Sequence, residues 1–371
     1  MIAECAKLQP LIAVARGCDV AIVPAQRPAL MPATPVVCRL GAPVRWLRWA
    51  VRSPAMLLAV SDLGEIALCE GGRGAVSQRD SLSLRHLVTF SDDALVAVEW
   101  LGGASAAVAA GSLPYGMEGF VTVGACATVT MRWRLRFAAD TTESAPWTAV
   151  RARVCSLDAV DCAAVGGGQP GRLVLAASAR GLRGGVVVCS CSIVSQSSDG
   201  AAHLSIVPIG KLQPSPAASR VTWLSIGTGV GKDASLLLAR RSASGTTLQV
   251  WRPTHAGAVG AKFSPIAQPG AVQEAGAAAE AAAEGAEEEW ECVGQAEAAS
   301  TLGPVRSVAC NAPPGAAGST VLLRHGGGAI SAFDAADAAA APSPLACYSA
   351  EEVEASAKAH SPGASTVSFP L

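Results

Sequence analysis

The sequence predicts an all-β fold in which one small sheet is repeated around an axis. Three observations predict it. A unit of constant grammar recurs five times, its apolar runs alternate and are rich in β-branched residues, and clusters of Gly, Pro, Ser and Asp separate those runs. Each copy holds a short apolar run that often carries Trp, an Ala/Leu/Val run, a small polar turn, and a third apolar run ending in an aromatic residue or Cys. Strand, strand, turn, strand at a repeated interval is the grammar of β-propeller blades.

The clearest copies run Val44-Arg45-Trp46-Leu47-Arg48-Trp49, Met56 to Val60, Ser61-Asp62-Leu63-Gly64 and Ile66 to Cys69, and again Val221 to Leu224, Ser235 to Ala239, Ser244-Gly245 and Leu248 to Trp251. A further copy takes Val96 to Trp100, Ala106 to Ala110, Phe120 to Gly124 and Val129 to Trp133, with a loop at Pro114-Tyr115-Gly116. Another takes Val160 to Val165, Leu173 to Ala177 and Val186 to Cys191. The last takes Val305 to Cys310, Thr320 to Leu323, Gly326-Gly327-Gly328 and Ile330 to Phe333. The first strands start near Val44, Val96, Val160, Val221 and Val305, with Val367 as a further mark. Their spacing of about 50 to 85 residues exceeds the roughly 40 to 45 of a compact repeat, so the blades carry long loops.

The two ends read as partial units. Leu11 to Arg16 and Asp19 to Val23 look like the last two strands of a blade, and Thr366 to Phe369 like a first strand. A ring whose sheets leave open edges is vulnerable to aggregation, and one blade built from both termini removes that edge. Joined, the partial units predict six blades; a chain continuing past Leu371 would predict seven. Residues 1–371 are therefore read as a single propeller domain. Inside it lies a low-complexity acidic Ala/Glu insert at about 271–289, which has no apolar face beyond Ala and reads as a solvated segment between blades.

Composition narrows the function classes. The chain has 28 basic and 29 acidic residues, so no global field of the kind that captures nucleic acid is expected. Half of the residues are apolar, but Gly, Pro and charges interrupt every run before the roughly 20 residues of a membrane helix. The start, Met1 to Pro10, carries Glu4 and Lys7 and does not read as a secretory signal. The twelve cysteines sit mostly singly in apolar strands, a usage expected of a reducing compartment, cytoplasmic or nuclear.

No motif names a reaction. Gly227-Thr228-Gly229-Val230-Gly231-Lys232-Asp233 imitates a phosphate-binding loop, but Ile226 stands where that loop needs Gly and Asp233 where it needs Ser or Thr. A turn between strands is the expectation. Cys189 and Cys191 share one strand face without a second ligand pair, so they read as core. His86, His203, His255, His325 and His360 are scattered, and none stands in a recognisable setting with a nucleophile and an orienting acid. No catalytic, cofactor-binding or metal residue is predicted, and no partner-binding residue can be named. Trp46, Trp49, Trp100 and Trp223 on first strands, with Trp133 and Trp251 near unit ends, are expected to fill the gaps between blades. Trp147 and Trp290 fall outside the assigned strands.

Ser61-Asp62-Leu63-Gly64-Glu65-Ile66-Ala67-Leu68-Cys69 resembles the Ser-x-Asp-Gly-x-Ile-x-x-Trp ending of WD40 repeats, with Leu63 splitting the Asp-Gly pair and Cys69 replacing Trp. Leu248 to Trp251 resembles the same ending, with Arg252 where Asp follows, and the opening Gly-His pair is missing throughout. A divergent WD40-like propeller is what this resemblance implies. Within residues 204 to 253, Ser219 to Ser225 and Ala234 to Arg241 leading to Val250-Trp251 also resemble the irregular blades of the N-terminal propeller of Mediator complex subunit 16. That resemblance implies a nuclear, non-enzymatic scaffold in RNA polymerase II transcription regulation, with protein subunits of a larger complex as partners, no cofactor and no small-molecule substrate. The alternatives are a propeller enzyme with a polar central-channel site and a nucleic-acid-binding propeller. A cytoplasmic location is the alternative to the nucleus.

Overall fold

Six four-stranded antiparallel blades follow one another along the chain. The computed structural model describes residues 2–5, 11–24, 36–50, 56–71, 84–101, 117–135, 146–154, 157–169, 172–179, 185–195, 202–212, 219–228, 234–254, 288–298, 300–310, 319–335 and 342–359. Blade 1 comprises β1 (Ile2–Cys5), β2 (Leu11–Arg16), β3 (Asp19–Pro24) and β4 (Val36–Arg39); blade 2 comprises β5 (Val44–Trp49), β6 (Met56–Ser61), β7 (Glu65–Gly71) and β8 (Leu84–Ser91). Blade 3 comprises β9 (Leu95–Trp100), β10 (Met117–Gly124), β11 (Thr128–Leu135) and β12 (Thr148–Arg153), and blade 4 comprises β13 (Val160–Gln169), β14 (Arg172–Ala179), β15 (Val186–Ser195) and β16 (Ala202–Leu212). Blade 5 comprises β17 (Arg220–Thr228), β18 (Ala234–Arg241), β19 (Thr246–Pro253) and β20 (Glu288–Glu297). Blade 6 comprises β21 (Val305–Cys310), β22 (Thr320–His325), β23 (Ile330–Asp334) and β24 (Ser343–Tyr348), and a short helix, α1 (Ala350–Ala359), follows it.

The first strands β5, β9, β13 and β17 touch one another in sequence, which places the first strand of a blade innermost and the fourth outermost. Alternation then decides the packing, because successive side chains point to opposite blade faces. In β10, Val121 and Val123 join Val129, Met131 and Trp133 of β11 in the cluster shared with blade 4, while Phe120 faces blade 2. One apolar cluster fills each junction from blades 1 and 2 through blades 5 and 6. The tryptophans behave as spacers: Trp49, Trp100 and Trp133 are buried, and Trp46, Trp223 and Trp251 pack against these clusters.

The structure revises several expectations. Leu11–Arg16 and Asp19–Pro24 are the second and third strands of blade 1, not its last two. Ile2–Cys5 supplies the first strand by pairing with β2, so residues 2–39 supply all four strands described for blade 1. Each unit also has a fourth, outermost strand that the three-run grammar omits. Trp290 lies inside one of them, β20, and is buried, while Trp147 precedes another, β12. Glu288 and Glu289, read as the end of the acidic insert, belong to β20, where they pair parallel with Gly210 and Lys211 of β16 and join blades 4 and 5 into one eight-stranded sheet. Ala106 to Ala110, residues 271–287 and Thr366 to Phe369 lie outside the described residues.

Candidate functional site

Propeller topology divides the connections between two faces. On one face lie the turns joining second to third strands and the crossings between blades, and backbone bonds lock the two together. Asp92 N–H donates to Gly64 O at 3.0 Å, Ala125 N–H to Ala94 O at 2.7 Å, and Val160 N–H to Ala125 O at 2.8 Å. Gly64 is required there. Its φ is +84°, and a Cβ at this position would collide with the carbonyl oxygens of Asp92 and Asp93. Ala127 holds the equivalent turn of blade 3 at φ +62°.

Between blades 2 and 3 this face carries a buried cluster of ionisable groups. Asp92, in the crossing, is nearly sealed: its side chain is 4% exposed and that of Arg132, from β11, is 7% exposed. Arg132 donates Nη1–H to Asp92 Oδ2 at 2.8 Å and Nη2–H to Oδ1 at 2.5 Å, a two-pronged pair. Thr122 of β10 adds an O–H bond to Oδ2 at 2.8 Å, and Arg151 of β12 adds an N–H bond to Oδ1 at 3.0 Å. Each carboxylate oxygen therefore accepts two donors. Burial by itself would raise the Asp92 pKa. The bonds from Arg132 and Thr122 and the charges of Arg132 and Arg151 outweigh it and hold the carboxyl below its ordinary value.

The sign of the pH effect follows. A carboxyl with a lowered folded-state pKa contributes stability above its unfolded value, about 3.9, and that stability is lost as pH falls through the folded value. Unfolding midpoints measured on acidification from about pH 5 to below pH 3 should fall. Asp92→Asn should make that acid limb shallower, and an unchanged limb would exclude Asp92 as its source.

Two residues further along β11, the same junction carries a second buried cation. Arg134 bonds Glu118 at 2.5 Å and Glu70 of blade 2 at 3.3 Å, and its guanidinium lies 5.0 Å from the Trp147 ring centroid. Arg134 Nη1 and Trp147 Nε1 are buried without an acceptor among the described residues. Phe90, Trp100 and Trp147 each pack on Phe120 with ring centroids 5.5 to 5.9 Å apart, and the Arg132 guanidinium lies 5.1 Å from the Phe90 centroid. Both guanidinium groups thus abut one aromatic block.

Polar side chains cluster where the innermost strands begin. Arg45 lies 4.2 Å over its neighbour Trp46 and donates to Leu95 O at 3.3 Å, and Arg220 approaches Asp161 at 3.5 Å. Cys162 beside them is pushed up to about 12, chiefly by burial. A hollow lined by Asp92, Asp93, Leu95, Thr122, Thr128 and Arg151 holds about 180 Å³, open space included. Most of that is open solvent: the enclosed part is about 10 Å³, roughly the room of one water and far below the ~300 Å³ at which small-molecule sites begin.

The sequence candidates are placed as follows. Cys189 and Cys191 are buried in the cluster between blades 3 and 4, and burial pushes both thiols up, Cys189 to about 12. Gly227 and Thr228 end β17 and Ala234 opens β18, so the phosphate-loop look-alike joins two strands. His86 and His203 are exposed on outer strands; His255 and His360 lie outside the described residues. His325 and Ser331, both 1% exposed, meet at 2.8 Å through Nε2 and Oγ, with Nδ1 at 2.9 Å from Gly303 O. That carbonyl can only accept, so Nδ1 carries the hydrogen, and in the neutral ring Nε2 accepts from Ser331. Sealed from substrate, the pair clamps the crossing into blade 6. Among the described residues no three His, Cys, Asp or Glu side chains gather to hold a metal ion, and no helix is long and apolar enough to cross a membrane. The Asp92 network escaped sequence reasoning because its members span residues 92 to 151 and share no motif.

Four-stranded blades with innermost first strands, packed face to face through apolar clusters, define a six-bladed β-propeller. Among solved structures the chain is similar to the Cps50 (Swd1) β-propeller domain of Myceliophteria thermophila, with a TM-score of 0.51 and 10% identity over 94% of this chain and 86% of that one. It is also similar to the WD40 domain of Toxoplasma gondii coronin, with a TM-score of 0.50 and 8% identity over 92% of this chain and 68% of that one. No protein-family model and no curated protein matches the sequence.

Proposed function

We propose that this protein is a non-enzymatic interaction scaffold whose propeller holds protein subunits of a larger assembly. The carrying observation is the saturation of Asp92. This buried ionisable cluster spends its donors and acceptors on bonds within the fold, so its charges fasten blades instead of meeting a substrate. Recognition then falls to the loops and turns of the two broad faces. The finer proposal is a nuclear role as a tail subunit of the Mediator complex, supported by the resemblance of residues 204 to 253 to the subunit 16 propeller.

Affinity purification of the full chain from its native cells, with identification of co-purifying proteins, tests both levels. Stoichiometric recovery of Mediator subunits is expected. Recovery of a different assembly would keep the scaffold and remove the finer reading. A lone protein that turns over a small molecule would overturn the scaffold itself.

A further inference from the structure

Independently of that reading, we propose that Cys38 and Cys69 form a redox modification site, a reversible disulfide that staples blade 1 to blade 2 when the protein meets hydrogen peroxide. Cys38 lies on β4, the outermost strand of blade 1, and Cys69 on β7, the third strand of blade 2, and these two strands touch. Both side chains belong to the apolar cluster at that junction, with Leu40, Leu47 and Leu57, and are 7% and 0% exposed. Their thiols hydrogen-bond each other. Two thiols that interact across a blade junction can close into a disulfide once the strands bring their Cβ atoms to about 3.8 Å.

The pair is also asymmetric. Cys38 lies on the outermost strand of blade 1 and keeps 7% of its surface exposed, whereas Cys69 is fully buried on the third strand of blade 2. Cys38 is therefore the sulfur an oxidant reaches first, and its bond with Cys69 holds its thiol below the ordinary value, which makes it the attacking sulfur. It sits on a four-residue edge strand whose Val36 is 51% exposed, so local lifting of β4 admits a small oxidant.

In the first step the Cys38 thiolate attacks one peroxide oxygen. The O–O bond breaks, the departing hydroxide takes a proton to become water, and Cys38 becomes a sulfenic acid. Cys69 then attacks the Cys38 sulfur as its proton leaves. The S–O bond breaks, the hydroxyl departs as a second water, and the S–S bond forms. Two thiols are oxidised by two electrons in all, and one peroxide is reduced to two waters.

The test uses the native full-length protein. It is treated with graded hydrogen peroxide, quenched with iodoacetamide, unfolded in the presence of more iodoacetamide, digested without reductant and analysed by mass spectrometry. A Cys38–Cys69 linked peptide is expected, lost on dithiothreitol treatment and absent from Cys38→Ser and Cys69→Ser. Exposed Cys292 and Cys347 report the oxidant dose within the same sample. If both Cys38 and Cys69 are recovered alkylated at doses that oxidise Cys292 and Cys347, the proposal fails. It also fails if either becomes sulfinic without forming the link. These readouts come from the unsubstituted protein, so they stand even where a serine variant does not fold.

Discussion

Replacing Arg132 with methionine is expected to lower the unfolding free energy by about 3 to 5 kcal/mol, the scale set by stranding one partner of a buried ion pair. The substitution keeps an apolar stem of similar length and deletes the two N–H groups that hold Asp92, whose side chain is 4% exposed. What remains for that carboxylate is one hydroxyl and one half-exposed guanidinium. Urea unfolding of R132M should show a lower midpoint. Arg151→Ala, which removes the partner that is 56% exposed, should cost no more than about 1 kcal/mol, because water already screens that contact. The double variant D92L/R132M distinguishes a stranded charge from lost packing. With no charge left to bury, it should recover part of the loss suffered by R132M. Equal losses in R132M and R151A would show that the pair does not fasten the junction.

Phe120→Ala should cost a comparable amount, about 3 to 5 kcal/mol, by a different route. Phe120 is fully buried at the centre of the aromatic block. Phe90, Trp100 and Trp147 surround it, and none of those rings can fill the space it would leave. The variant should lose near-ultraviolet circular dichroism and show red-shifted tryptophan emission as Trp100 and Trp147 meet water. Phe120→Leu, which fills more of the hole, should lose clearly less. An F120A protein with unchanged emission and stability would mean that blades 2 and 3 are held elsewhere.

The strands with buried faces were legible from the residues. Met56–Ser61 is buried at every position and reads as a continuous apolar run. The innermost strands that start at or beside Val44, Val160 and Val221 read by alternation, Val44–Trp49 burying Val44, Leu47 and Trp49 and exposing Arg45. The outermost strands were not. Thr148–Arg153 and Ser343–Tyr348 are exposed at most positions, and a strand held chiefly by backbone pairing on one edge carries no apolar period to detect. The same reason misplaced the N-terminal pair. Ile2–Cys5 is four residues long, and without it Leu11–Arg16 looked like a later strand than the second one it is.

Sequence alone determined that this protein would be a repeated β body, because alternation and turn residues act over a few neighbouring positions and every blade restates them. Only the tertiary structure decided which side chains from different blades would meet. Asp92 finds Arg132, Arg134 finds Glu70, and Cys38 finds Cys69 across junctions whose register depends on all the strands between. Contacts of that range arise from packing faces together, and no local pattern encodes them.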